Sequence, residues 1–310
     1  MGGAIGRIWK LHGDRCCASS PRTSRIRWAA RSATRTPRRW PTRATRARAS
    51  GPLVKPAPFA YHRPRSREEV DRLLAELGEE AELLAGGQSL IPILNMRLAS
   101  PAHLVDLNHL EGEPAEPRLD GGAVVCGPLV RQLAAQRSAL VRESVPVLAQ
   151  ALAHVAHPAI RSRGTVVGSV AHADPAAELP AVLLALDGEA CVRGARGRRT
   201  VAARALFVGQ LETSLAADEW IEEVRLPLQG ARGSAVHEFA RRRGDYALCG
   251  VVALGDTLTY FGMGPVPVRL ARAQPAAGRL APEDDVHASA RYRLWLAERL
   301  GERAAREAGA

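Results

Sequence analysis

The sequence predicts an α+β protein assembled in at least three pieces. Apolar runs of strand length alternate with segments whose apolar residues recur at helical spacing, and no internal repeat links the pieces. Near Gly233 this alternation gives way to a run of strands that closes on one long helix. The apolar fraction, 46%, is enough to bury a core, while aromatics at 4% leave that core to Ala, Leu and Val.

Each element has a local reason. Pro56, Pro58 and Pro64 keep Lys55 to His62 extended. Ser66 and Glu69 form a capping box, Val70, Leu73, Leu74 and Leu77 share one helical face, and Gly78 stops the helix. A short strand from Glu82 to Ala85 runs into Gly86-Gly87, and Leu104 to Leu107 reads as another, which completes a β-α-β start. Beyond a turn-rich segment from Glu111 to Gly122, the pattern predicts a strand over Ala123–Cys126, a helix starting within Leu129–Ala135 and an alanine-rich helix over Val145–Ala156. Gly164 to Val170 reads as a glycine-interrupted strand or loop. An apolar stretch, Leu179–Leu186, precedes strands at Ala190–Arg193 and Trp220–Leu226. The last piece predicts strands at His237–Ala240, Ala247–Leu254 and Thr257–Met263, then a helix over Arg291–Glu307.

Charge narrows the function. The 310 residues carry +11, but residues 1–54 hold thirteen Lys/Arg against one acid, Asp14. From Lys55 onward the chain is close to neutral, with 30 basic residues against 31 acids, so groove-type nucleic-acid binding by the body loses its support. The Arg-rich leader has no apolar stretch of a secretory signal. It resembles a transit peptide, and the competing expectation is a disordered segment or one foreign to the natural protein. Arg outnumbers Lys 41 to 2, the mark of a GC-rich genome. The five cysteines form no C-x-x-C pair, so the chain alone predicts no zinc ribbon, no iron–sulfur cluster and no metal site, and reduced thiols place it in a cytoplasm. No stretch approaches the ~20 apolar residues of a membrane span.

Two glycine-containing loops can carry chemistry. Ala85-Gly86-Gly87-Gln88-Ser89-Leu90 follows a strand directly, where glycines let backbone N–H groups approach a ligand such as a pyrophosphate. It is neither G-x-G-x-x-G nor a Walker loop, and a plain connection is the competing reading. The second loop, Thr165-Val166-Val167-Gly168-Ser169, precedes Asp174 and Glu178, whose carboxylates can accept hydrogen bonds from sugar or ribityl hydroxyls or can merely start a turn and a helix.

Several ordered motifs then resemble one family. Phe59 to Pro64, Leu84 to Ile93, Arg97-Leu98-Ala99, Leu104 to Leu107, His157 to Arg161, Arg163-Gly164-Thr165, Gly168-Ser169, His172 to Pro180, Phe239 to Ala247 and Asp284 to Ala290 are similar to the FAD-binding medium subunit of molybdenum hydroxylases, the xanthine dehydrogenase and aerobic carbon monoxide dehydrogenase type. The resemblance spans about residues 55–310. It implies an FAD-binding PCMH-type fold, related to vanillyl-alcohol oxidase, with subdomains at 55–110 and 111–230 and a shortened C-terminal domain at 233–310. It implies FAD as cofactor, with its diphosphate at Ala85–Ser89 and Thr165–Ser169, Glu178 near its sugar or ribityl part and Tyr246 against the isoalloxazine face. It implies an electron-transfer role from a small [2Fe–2S] subunit to NAD⁺ or a quinone, beside a large molybdenum-cofactor subunit, in a heterotrimer that can pair further. A stand-alone flavin oxidoreductase and a scaffold subunit without tight FAD remain the alternatives.

Three departures predict a weaker site. Val167 stands where the family has glycine, and a β-branched residue resists positive φ. Val130 stands where threonine is usual, and the stretch between Arg269 and Asp284 lacks an expected helical piece, which would loosen the lid over the flavin. Since every motif lies beyond residue 54, a chain starting at Lys55 should fold and retain FAD like the full chain. Equal flavin content after purification checks this, and loss of flavin on removal of residues 1–54 would contradict it.

Overall fold

The computed structural model describes residues 56–309; the leader expected over residues 1–54 lies outside them. The chain opens with β1 (Ala60–His62), α1 (Arg67–Leu77), β2 (Ala81–Leu84), α2 (Leu90–Asn95) and β3 (His103–Asp106). The three strands make a parallel sheet in the order β1-β3-β2. The cap of α1 is as the sequence predicts: Ser66 Oγ accepts from Glu69 N at 3.2 Å. Glu69 Oε2 reaches back to Arg65 N at 2.7 Å, one residue earlier than in the usual box. Gly78 ends the helix at φ +52°. Val70 and Leu74 pack on Val105, Leu107 and Trp220. The sequence reading lacked α2, whose Pro92 falls in its first turn, where the ring is tolerated.

The middle of the chain begins with β4 (Arg118–Asp120) and β5 (Ala123–Cys126). Six helices follow: α3 (Gln132–Arg137), α4 (Ala139–Ser144), α5 (Pro146–His154), α6 (Pro158–Arg161), α7 (Val166–His172) and α8 (Glu178–Ala185). Then come β6 (Glu189–Gly194), β7 (Gly197–Ala202), α9 (Ala203–Leu206), the hairpin β8 (Phe207–Gly209) and β9 (Glu212–Thr213), and β10 (Glu219–Pro227). A five-stranded sheet runs β4-β5-β10-β6-β7, antiparallel throughout. Its core is Ala, Val and Leu, as the scarcity of aromatics implied.

Three expectations need correction here. Gly164 to Val170 is not a strand or loop: Thr165 Oγ1 accepts from Gly168 N at 2.9 Å and starts α7. The helix expected from Leu129 begins only at Gln132, because Arg131 bridges Thr165 and Gln132 N donates to Gly164 O at 2.8 Å. The alanine-rich helix stops at His154, ahead of Ala156 at φ +39°.

The last piece is a four-stranded antiparallel meander, β11 (Ser234–Phe239), β12 (Cys249–Leu254), β13 (Thr257–Phe261) and β14 (Val268–Ala271), backed by α10 (Ala290–Ala308). Gly301 lets α10 close on the sheet, since a β-carbon there would lie 2.3 Å from Tyr260 Oη. Among the described residues no helix lies between β14 and α10. Val236, Val252 and Phe261 join the middle core, so this piece packs directly on the helical layer.

A buried polar network joins the first sheet to the second. Arg67, on α1, bonds Glu113 and Glu222, the latter at 2.8 Å. Arg193, on β6, bonds Asp71 at 2.7 Å and Glu68 at 2.9 Å. Asp71 also accepts from Trp220 Nε1 at 2.9 Å. Asp71→Ala leaves the Trp220 indole N–H without its acceptor and takes one carboxylate from Arg193, which keeps Glu68 and Glu222, so it should cost about 1–3 kcal/mol of unfolding free energy. Urea unfolding checks this; a change under about 0.5 kcal/mol, the scale of an ordinary surface substitution, would show that the network is not the joint.

Candidate functional site

Both predicted loops meet on one cavity of about 470 Å³. The first leaves β2 at Leu84 and turns at Gly87, φ +70°. Gly86 serves the crossing of two chain segments. A β-carbon there would lie 2.4 Å from Arg163 O and 2.7 Å from Gly164 Cα. Gln88 Nε2 donates to Gly86 O at 3.0 Å and holds the turn. Asn108 donates to Ala85 O at 2.7 Å and accepts from Arg131 at 2.6 Å, and Arg131 also donates to Arg163 O at 2.7 Å. Asn108 and Arg131 therefore staple one loop to the other, a role the sequence reading did not find because the partners lie 23 and 32 residues apart.

The second loop differs from its expectation in two residues. Val166 does not line the cavity: it is buried in the core, and its amide donates to Val130 O at 3.0 Å. Val167 has no positive φ; it sits in the first turn of α7 with its side chain in the core, so the strain expected of a β-branched residue does not arise. Gly168 N is held by Thr165 Oγ1 and Ser169 N by Thr165 O, whereas among the described residues no acceptor takes the Val167 amide. At Gly168 a β-carbon would lie 2.6 Å from Thr165 Oγ1, so a side chain there would make the Thr165 hydroxyl shift. The Val130 side chain is core and faces no ligand space, so the missing threonine removes nothing from the cavity.

The cavity extends beyond the loops. Asp174, Glu178, His172 and Tyr246 come together in its lining. The Tyr246 loop seats on the middle helices through Gly244, φ +86°, whose β-carbon would lie 2.9 Å from His157 Cε1. Tyr246 is 66% exposed, and loss of hydration, then Asp174 and Glu178, raise the pKa of its hydroxyl. Glu178, the first residue of α8, has its carboxyl pushed up to about 8, chiefly by burial and then by Glu238. His172 is lowered by burial, with Asp174 opposing. Asp174 Oδ1 also accepts from Ala176 N at 2.8 Å, the turn role weighed for it. Glu82, Trp220 and Ile221 also belong to the lining. Ala85, Gly86, Gly87, Gln88, Ser89, Leu90, Thr165, Val167, Gly168 and Ser169 line the stretch between.

The family described as the FAD binding domain in molybdopterin dehydrogenase matches residues 57–229. The chain belongs to the FAD-binding medium subunits of molybdenum hydroxylases. It is 37% identical over 279 residues to the 6-hydroxypseudooxynicotine dehydrogenase complex subunit alpha of Paenarthrobacter nicotinovorans, covering 81% of this chain and 94% of that one. Among solved structures it is similar to carbon monoxide dehydrogenase from Hydrogenophaga pseudoflava (TM-score 0.76, 31% identity, 83% of this chain and 98% of that chain). Quinoline 2-oxidoreductase from Pseudomonas putida 86 is similar as well (TM-score 0.76, 32% identity, 82% and 98%). The medium subunit accordingly has the FAD-binding PCMH-type fold, takes FAD as cofactor and is part of an oxidoreductase. The site fits that cofactor: two glycine loops that cross at Gly86 and Gly164 present backbone and hydroxyl groups to one cavity, with the aromatic ring of Tyr246 also in its lining. Among the described residues no helix of this medium subunit is long and apolar enough to cross a membrane.

Two outcomes follow from the geometry. Gly86→Ala forces the loops apart and should weaken FAD binding at least tenfold, read by flavin titration; unchanged affinity would mean the crossing does not shape the site. A carboxyl whose folded pKa is about 8, above the ordinary ~4.3, adds stability below the lower value that is lost as pH rises through the upper one. Glu178→Gln should therefore raise the apoprotein Tm at pH 9 and lose that advantage toward pH 5.

Proposed function

We propose that this medium subunit carries electrons from a [2Fe–2S] subunit, through FAD, to NAD⁺ or a quinone. In this reading the organic substrate is oxidised at a molybdenum cofactor in a large third subunit of a cytoplasmic heterotrimer. The observation that carries the proposal is the crossing of two glycine loops beside a cavity whose Tyr246 end opens to the surface. The relatives' names support it: one is a subunit of a dehydrogenase complex, and the solved carbon monoxide dehydrogenase is described with respect to its molybdenum cofactor. The cysteines support it too. Cys126 and Cys249 are buried thiols pushed up to about 12 by burial, poor cluster ligands, which favours clusters brought by a partner.

Within that proposal the residues divide the work. Ala85 to Leu90 and Thr165 to Ser169 hold the diphosphate with backbone amides and hydroxyls, the free Val167 amide among them. Asp174 and Glu178 face the ribityl and sugar hydroxyls, with Glu178 largely protonated at neutral pH and able to donate as well as accept. Tyr246 covers one face of the isoalloxazine and limits water there. FAD, when bound, takes up single electrons and releases them to an external acceptor; the protein orients the ring and sets its surroundings.

A tagged full chain purified from its native host should return with flavin absorbance, a molybdenum-bearing subunit and an iron–sulfur subunit. Its bound flavin should be reduced by substrate only in that complex. A chain that purifies alone and oxidises a substrate by itself would contradict the proposal.

A further inference from the structure

The chain holds only four phenylalanines, four tyrosines and five tryptophans, yet three of these rings are displayed together on the last piece. Ser289 Oγ accepts from Tyr292 N at 3.2 Å and caps α10, so Tyr292 and Trp295, three residues apart, share one face of its first turns. Their rings stack with centroids 5.9 Å apart, and Phe239, the last residue of β11, meets Tyr292 edge-on at 6.3 Å. Each of the three is 39–51% exposed. Together they show water roughly 300 Å² of aromatic surface, a size at which the largest apolar patch of a monomer is often functional.

The same surface is basic. From Phe239 the chain runs into Arg241-Arg242-Arg243, all exposed, and none of the three forms an ion pair among the described residues. Arg241 Nη1 lies 3.2 Å from His287 Nδ1 and so ties this loop to the segment before α10, where Val286 faces water. The loop closes where Leu248 N donates to Phe239 O at 2.8 Å. Tyr246, which lines the cavity, is two residues short of that closure, so the patch and the cavity share one loop. Tyr, Trp and Arg set side by side are the residues that carry most binding energy in protein interfaces, and unpaired guanidinium groups call for carboxylates on the facing surface.

We propose that Phe239, Tyr292 and Trp295, with the run Arg241 to Arg243, form the docking surface for an acidic face of the [2Fe–2S] subunit. This rests on the electron-transfer reading under the proposed function. In that reading the iron–sulfur subunit must approach the flavin, and the loop that presents the patch also carries Tyr246 into the cavity lining. A second copy of this chain fits less well, because two-fold pairing centred on the patch would set one arginine run against the other.

The test uses the complex purified from its native host through the tagged full chain. With Trp295→p-benzoylphenylalanine in that complex, illumination should join position 295 to the iron–sulfur subunit, identified by mass spectrometry. Trp295→Ser and Arg242→Glu should each cut the iron retained per flavin by about fivefold or more, while Trp295→Phe, which keeps a ring on the helix, should retain most of it. Flavin per chain and the Tm of the free chain should stay as in the unsubstituted protein, because both side chains are exposed and neither lines the cavity. An adduct with any other chain, the absence of an adduct, or full iron retention in both the serine and the glutamate variants would overturn the docking surface and leave the electron-transfer reading standing. An unsubstituted chain that returns without iron would overturn both.

Discussion

The backbones at Gly86 and Gly164 approach so closely that neither position has room for an ordinary side chain: a β-carbon would meet Arg163 O at 2.4 Å on the first and Gln132 Oε1 at 2.8 Å on the second. That contact sets where the first sheet stands against the helical layer, and the other features of the site follow from it. Asn108 and Arg131 tie the same two segments from the outside. Farther along, Arg67, Arg193, Asp71 and Glu222 hold α1 to the five-stranded sheet, so the two walls of the cavity cannot separate without exposing buried charge. A cleft held open in this way offers backbone amides to an anionic ligand without first ordering a loop, which lowers the entropic cost of binding.

The cavity brings several chemistries together. Its lining includes the glycine, amide and hydroxyl groups of the two loops, the carboxyls of Glu79, Glu82 and Glu219, and the group His172, Asp174, Glu178 and Tyr246. Burial shifts Glu82 and Glu178 in the same direction, toward the neutral acid. The third piece contributes Gly244, Asp245 and Tyr246 to the cavity, and Ala247, the next residue, joins the core it shares with the middle helices through Val236, Val252 and Phe261.

Much of this was legible in the sequence because its causes are local. Ser66, Glu69 and Gly78 announce α1 within a dozen residues, and the strand into Gly86-Gly87 is evident from apolar residues followed by glycine. The second loop was misread for an equally local reason: Thr165 to Val170 is rich in β-branched residues and glycine, which favour strand or turn, and only the Thr165 cap with the long-range bond from Val166 N to Val130 O makes it helical. That error produced the mistaken expectation of strain at Val167. Asn108 and Arg131 are not legible in the sequence, because their meaning depends on segments brought together from elsewhere in the chain.

The central claim is that one ligand is gripped by both loops at once. Hydrogen–deuterium exchange of the full chain with and without FAD tests it most directly. FAD should slow exchange in residues 86–91 and 165–169 together, the Val167 amide included. Protection confined to one of the two segments, or to neither, would contradict the account.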